Sequence, residues 1–301
     1  MERRSRPQGK APALLLAFAA LAALASGASA LDWPLADPRP AATFGTAAKG
    51  RFVSGVLLAS EGGLVRAAGD GELVYAFDGS SPTAVSALPS TLGSFAVVEH
   101  ERGMAGLYAG LAPGSVSSYL MKTKAGSILG TAGASGWAEG QGLLFAVYDR
   151  GAERWVNPFL LLPALKDKTQ PLIRSAALAR GGKSYALGET RSVPQGEYAI
   201  AVDVADPLDA PWSAGSPAPY YLRLLVDGAK VAELEFDVME GRSGRLVLFP
   251  QAPKSRADYL LSDGRALVAE RFFRRGRSVI EVLVRDYAGN ERGASWSIAV
   301  E

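Results

Sequence analysis

His100 is the single histidine of the chain, and cysteine is absent. Those two counts narrow the chemistry at once. Thiol catalysis, disulfides, cysteine-ligated zinc and iron–sulfur centres all need sulfur that is not there. A Ser–His–Asp triad would have to use His100, and no G-x-S-x-G elbow precedes a helix. His100 ends the apolar run SFAVVE between Glu99 and Glu101 and reads as a structural residue at a strand end. A glycosidase-type mechanism needs only two carboxylates. Asp70, Glu72, Asp78, Glu139 and Asp149 are available, but they fall in or beside turns, with no spacing that fixes any two of them at a set separation. Neither a P-loop nor a dinucleotide fingerprint is present. Arg271, Arg274, Arg275 and Arg277, set around Phe272 and Phe273, could receive a phosphate or an anionic partner; the simpler reading is a solvated turn between two strands.

The elements that must position these groups read as strands. Residues 31–163 alternate short apolar runs with glycine-containing turns, as in GVLLAS, GLVRAAGDGELVYAF, SFAVVEH, MAGLYAGL and GLLFAVYD. None keeps an apolar stripe at helical spacing, which predicts an all-β unit. Gly69-Asp70-Gly71 is expected to make a tight hairpin, since glycine takes positive φ without steric cost. Residues 164–190, polar at KDKTQP, read as a linker and entry strand. Residues 191–301 hold strand candidates at 197–206, 220–226, 230–238, 244–249, 278–286 and 295–300, and the proline-rich 206–219 cannot lie inside a sheet. That density of short strands predicts a C-terminal immunoglobulin-like β-sandwich, closed by a hairpin turning at 286–291.

Residues 1–30 carry an export signal: a basic start (Arg3, Arg4, Arg6, Lys10), the apolar stretch APALLLAFAALAALA, and the small-residue box Ala28-Ser29-Ala30. Cleavage there takes 32 basic and 30 acidic residues to 28 and 29, turning a precursor charge of +2 into about −1. The precursor's basicity is therefore no sign of nucleic-acid binding. The expected product is a soluble periplasmic or extracellular protein without a membrane anchor or cofactor.

Over residues 44–163 a series of landmarks appears in order: Phe44-Gly45, RFVSGVL at 51–57, the segment 65–74, FAVVEH at 95–100, YAGL at 108–111, GSILGTAGASG at 126–136, GLLF at 142–145, and Asn157-Pro158 followed by leucines at 160–162. Together they resemble the M23 peptidase family, the lysostaphin/LytM-type zinc endopeptidases that cut peptidoglycan cross-bridges. The resemblance implies an M23-like antiparallel β-sheet domain over 31–163. It also implies zinc held by a histidine, an aspartate four residues on, and the second histidine of an H-L-H motif, with two further histidines handling water and transition state. Here the three ligand positions are Val53, Leu57 and Leu144, and the other two are Gly110 and Gly142. None offers zinc a lone pair, so the expectation is no metal, no catalysis, and an apolar floor where Val53, Leu57 and Leu144 pack. Degenerate members of such families activate cell-wall amidases or serve as envelope scaffolds, which implies peptidoglycan or an amidase as partner. The alternatives are a purely structural or protein-interaction component of the periplasm and, third, a hydrolase with a relocated site. Asp78, Ser80, Ser81, Trp137 and Glu139 are the candidate rim, Trp137 being the aromatic in a loop otherwise rich in Gly, Ala and Ser.

Overall fold

The computed structural model describes residues 30–301 apart from 49, 61, 81–89, 118–121, 137–141 and 208–216. Residues 1–29 of the expected export signal and the rim candidates Ser81, Trp137 and Glu139 lie outside the described residues. Among the described residues strands dominate; the helical pieces are the short helix Arg256–Tyr259 and the 3-10 turns Glu101–Gly103 and Pro158–Leu160. None of the described helices is long and apolar enough to cross a membrane. The all-β expectation holds.

An eleven-stranded antiparallel sheet frames the first unit. At its centre, Gly142–Asp149 pairs along one edge with Met104–Leu111. Its other edge is divided: Val56–Ala59 takes the first half and Arg154–Val156 the second. Ser94–His100 and then Gly71–Phe77 continue outward from Met104–Leu111. Burial alternates strictly along Ser94–His100, as a pleated strand with one face on the core requires. Ala96 and Val98 point inward to join Val56, Leu58, Tyr108, Leu143, Phe145 and Val147. The separate strand pair Leu64–Arg66 and Ile128–Thr131 covers this core with Val65 and Leu129.

Gly69-Asp70-Gly71 does not form the expected hairpin. It carries the chain from the pair Leu64–Arg66/Ile128–Thr131 into Gly71–Phe77 of the large sheet. Glycine is needed there because a Cβ on Gly71 would stand 2.3 Å from the carbonyl oxygen of Glu99. Turn composition marked the bend, but the strands that it separates find partners far away in sequence.

Residues from 172 onward supply two further sheets. One has the order Lys183–Ala186, Leu172–Arg180, Gly196–Ala205, Ala266–Phe273; the other runs Ser192–Val193, Glu291–Val300, Gly276–Arg285, Tyr221–Val226, Ala229–Glu235. Leu178, Ile200 and Val268 of the first share a core with Leu222, Val282 and Ile298 of the second. The closing hairpin pairs from Gly276↔Val300 to Arg285↔Glu291, turning where the sequence placed the turn. The candidates at 230–238 and 244–249 divide differently. Ala229–Glu235 stays with the C-terminal sheet, whereas Val238–Arg242 pairs with Arg154–Val156, and Arg245–Leu248 and Lys254–Ser255 extend that edge. The first sheet is thus completed by residues from the second half of the chain, and Phe44 and Phe52 of the first half enter the second core. An alternating apolar pattern sets which face is buried; it does not choose the neighbouring edge.

Candidate functional site

Four of the five family-motif positions meet on adjacent strands. Leu57 of Val56–Ala59 is the register partner of Leu144 on Gly142–Asp149, and Leu144 also stands opposite Ala109, next to Gly110. Main-chain bonds tie in the glycines: the Gly133 N–H donates to the Gly110 carbonyl (2.9 Å) and the Gly142 N–H to the Gly133 carbonyl (3.2 Å). Gly110 has φ +86°, in the region that favours glycine, and its own N–H donates to Leu92 (3.0 Å). Val53 is buried, with its N–H donating to Thr46 and its carbonyl accepting from Gly45. Between Val53 and Leu57 sits Gly55, where a Cβ would lie 2.2 Å from the Phe145 carbonyl oxygen and 2.7 Å from the Ala146 Cβ. Only glycine lets the chain pass so close beneath the central strand.

The chemistry of these positions follows from their side chains. Zinc sites draw three or four protein ligands from Cys, His and carboxylates. Valine, leucine and glycine provide none, so the residues present do not fit the family's zinc ion. Among the described residues, the one group of three acids or histidines close enough to share a cation is Asp167, Asp206 and Asp286, on other elements.

What the strands carry instead is an apolar face opposite the core. One cross-strand row reads Leu57, Leu144, Ala109, Phe95, Phe77; the next reads Ala146, Leu107, Val97, Tyr75. Phe95 stacks on Tyr75 at 5.5 Å between ring centroids and contacts Phe77 at 5.8 Å. Leu57, Leu144, Phe95, Phe77, Val97 and Leu107 are half-buried, and Tyr75 is 55% exposed. Leu57 and Leu144 lie side by side in the first row, whereas Val53, expected to pack with them, is buried outside these strands, and the row runs on beyond the motif positions. The signal was in SFAVV, where Phe95 and Val97 alternate with the inward Ala96 and Val98. A strand apolar on both faces has a second surface to cover or to use.

At the edge of this face, Asp78 follows Phe77 and is used as a loop clasp. Its carboxylate accepts from the N–H groups of Gly114 (2.8 and 2.9 Å), Ser80 (2.9 Å) and Val116 (3.2 Å) and from the Ser80 hydroxyl (2.8 Å). Partial burial disfavours its charge, yet these donors together hold its pKa below the ordinary carboxylate value. Ser80 itself is exposed. Ser135 acts alike nearby, donating to the Leu111 carbonyl (2.6 Å) and accepting from Ser94 (3.0 Å).

His100 lies at the far end of the sheet. Its Nδ1 is 3.0 Å from the Asp70 carbonyl, which can only accept, so Nδ1 carries the proton and the buried Nε2 has no partner. Burial lowers its pKa against the opposing pull of that carbonyl. The ring fits between two glycines: a Cβ on Gly69 would come within 3.3 Å of Nδ1, and one on Gly106 within 2.9 Å of Nε2. These contacts describe a packed structural histidine. The other acids have local uses: Asp70 accepts from Lys124 (2.7 Å) and Ala125 (2.8 Å), and Asp149 accepts from Ala152 (3.0 Å). The basic run forms a corner between Ala266–Phe273 and Gly276–Arg285, strands of opposite sheets, with Phe273 buried, Phe272 exposed and Arg277 donating to Ser297 (2.6 Å).

The family model for peptidase family M23 matches residues 51–158. A second family model, carrying no functional description, matches residues 170–301. No curated protein matches the sequence. Among solved structures, a chain of the pore-forming SpoIIQ–SpoIIIAH complex is 19% identical, covering 45% of this chain and 92% of that one with a TM-score of 0.36. Lysostaphin from Staphylococcus simulans is 14% identical, covering 80% and 90% with a TM-score of 0.33; an NMR structure of lysostaphin is 13% identical, covering 87% and 98% with a TM-score of 0.31. The chain therefore has an M23-like β-unit without a histidine-based zinc site, followed by a distinct C-terminal β-unit.

Proposed function

We propose that this is a non-catalytic M23-like protein of the cell envelope, which uses the face of its first sheet to bind rather than to cut. The single observation behind this reading is the pairing of Leu57 with Leu144 at the family's ligand positions, flanked by glycines bonded through their backbones. Such a site has no means of activating water. It has the half-buried leucines and aromatics of a surface that takes up apolar side chains, suited to the peptide part of peptidoglycan or to a segment of a cell-wall hydrolase such as an amidase. The export signal expected over residues 1–30 supports a periplasmic or extracellular setting. The paired sheets of residues 172–300 we read as an immunoglobulin-like sandwich serving as spacer or second contact surface.

A second reading, a structural envelope component with no glycan contact, draws on the way Val238–Ser255 completes the first sheet and ties the two units together. Co-sedimentation of the mature protein with purified sacculi, combined with zinc analysis, separates the readings. The binding reading expects the protein in the pellet, less than stoichiometric zinc, no released muropeptides, and at least a tenfold loss of binding in Leu57→Asp with Leu144→Asp. Stoichiometric zinc or released muropeptides would overturn it. Absence from the pellet would favour the structural reading.

A further inference from the structure

Three aspartates from separate elements converge where the connector meets the second unit. Asp167 belongs to the connector, Asp206 follows the strand Gly196–Ala205, and Asp286 follows Gly276–Arg285. One carboxylate oxygen from each lies within 4.8 Å of the other two. Asp206 and Asp286 are both only 2% exposed. Asp286 is held by Asn290, whose N–H donates to one of its oxygens (2.8 Å) and whose Nδ2 donates to the other (2.7 Å). The same Nδ2 lies 3.3 Å from the carbonyls of Asp167 and Thr169, and the Thr169 N–H donates to Asp167 (2.8 Å). Asp206 differs from both neighbours: its Oδ1 is fully buried and, among the described residues, has no hydrogen-bond partner.

Three carboxylates this close, two of them out of water, repel one another and are costly to keep charged. Among the described ion pairs none reaches them, and the nearby Arg39 is paired with Asp37. Asp167 and Asp206 border a cavity of about 280 Å³, lined also by Pro40, Phe159, Lys166 and Tyr287. The donor set is oxygen only, without the nitrogen or sulfur that zinc favours, and the adjoining cavity leaves room for water, which suits a large hard cation.

We infer that Asp167, Asp206 and Asp286 form a calcium site that fastens the connector to the C-terminal unit. The orphaned Asp206 oxygen is one ligand, Asp286 is oriented by Asn290 as a second, and Asp167 closes the site from the connector. This inference is independent of any binding at the first sheet.

The test uses the mature protein stripped with EDTA and titrated with CaCl₂, with MgCl₂ as the comparison. Calorimetry should find one calcium per chain. At a hundredfold excess over Kd the thermal midpoint should rise by about 5 °C or more. Asp206→Asn should remove that rise while raising the midpoint of the stripped protein, because it relieves the repulsion. Asp167→Asn, on the less buried member, should weaken calcium binding at least tenfold and provides the comparison if Asp206→Asn does not fold. No calcium heat and no midpoint shift at millimolar CaCl₂ would leave a carboxyl cluster sharing protons only, and the inference fails. An equal response to MgCl₂ would overturn the assignment to calcium.

Discussion

Gly55→Ala is the substitution that most directly tests how the first sheet builds its face. The added methyl would stand 2.2 Å from the Phe145 carbonyl oxygen, 2.7 Å from the Ala146 Cβ and 2.8 Å from its Cα. All three atoms belong to the central strand Gly142–Asp149, so no flexible side chain can swing aside. The strand Val56–Ala59 would have to move outward by about an ångström, loosening its pairing with residues 142–145 and separating Leu57 from Leu144. Overpacking of this kind costs about 3 kcal/mol, the upper part of the usual range. With an m-value of about 3 kcal/mol per molar urea, the unfolding midpoint should fall by about 1 M. Gly241→Ala is the matched control, because nothing lies within 4 Å of its Cβ position and its φ is not positive. It should stay within about 0.5 kcal/mol of the parent. Urea titrations followed by tryptophan fluorescence measure both variants. If Gly55→Ala unfolds within about 0.5 kcal/mol of Gly241→Ala, the close approach is not what selects glycine, and the placement of Leu57 against Leu144 loses its support.

Two further outcomes follow from the polar groups. His100 has a folded pKa below its ordinary value of about 6.5, so its stabilising contribution is complete above that pH and is lost as pH falls towards the folded pKa. His100→Asn, which keeps a donor for the Asp70 carbonyl, should lose less stability than the parent between pH 6.5 and 5. Thermal midpoints in calcium-free buffer give this difference, and identical slopes would contradict the assignment of a buried neutral ring; Asp206, pushed up to about 7, acts in the opposite sense in both proteins. Asp78→Ala leaves the N–H groups of Gly114, Ser80 and Val116 without their acceptor and should cost about 1–3 kcal/mol, with faster proteolysis at residues 112–117. Unchanged midpoints and cleavage rates would show that the clasp carries no load.

Some of this protein was legible in its residues. One histidine and no cysteine are covalent facts, and they exclude a zinc site built from several histidines or cysteines of one chain whatever the fold. The strand-like alternation and the final hairpin also needed only local pattern, because pleat and turn chemistry act within a few residues. SFAVV announced two apolar faces, although the motif positions drew attention to only one end of the second.

Tertiary structure decided the rest, for a common reason. Local pattern fixes which side of a strand is apolar, whereas neighbouring edges and converging side chains are set by contacts between distant segments. Gly69-Asp70-Gly71 looks like a hairpin until its flanking strands find separate partners. Val238–Arg242 has a sequence that would suit either unit and joins the first. Asp167, Asp206 and Asp286 are three unremarkable acids along the chain, and only the folding of a connector, a strand end and a turn onto one point gives them a shared electrostatic problem.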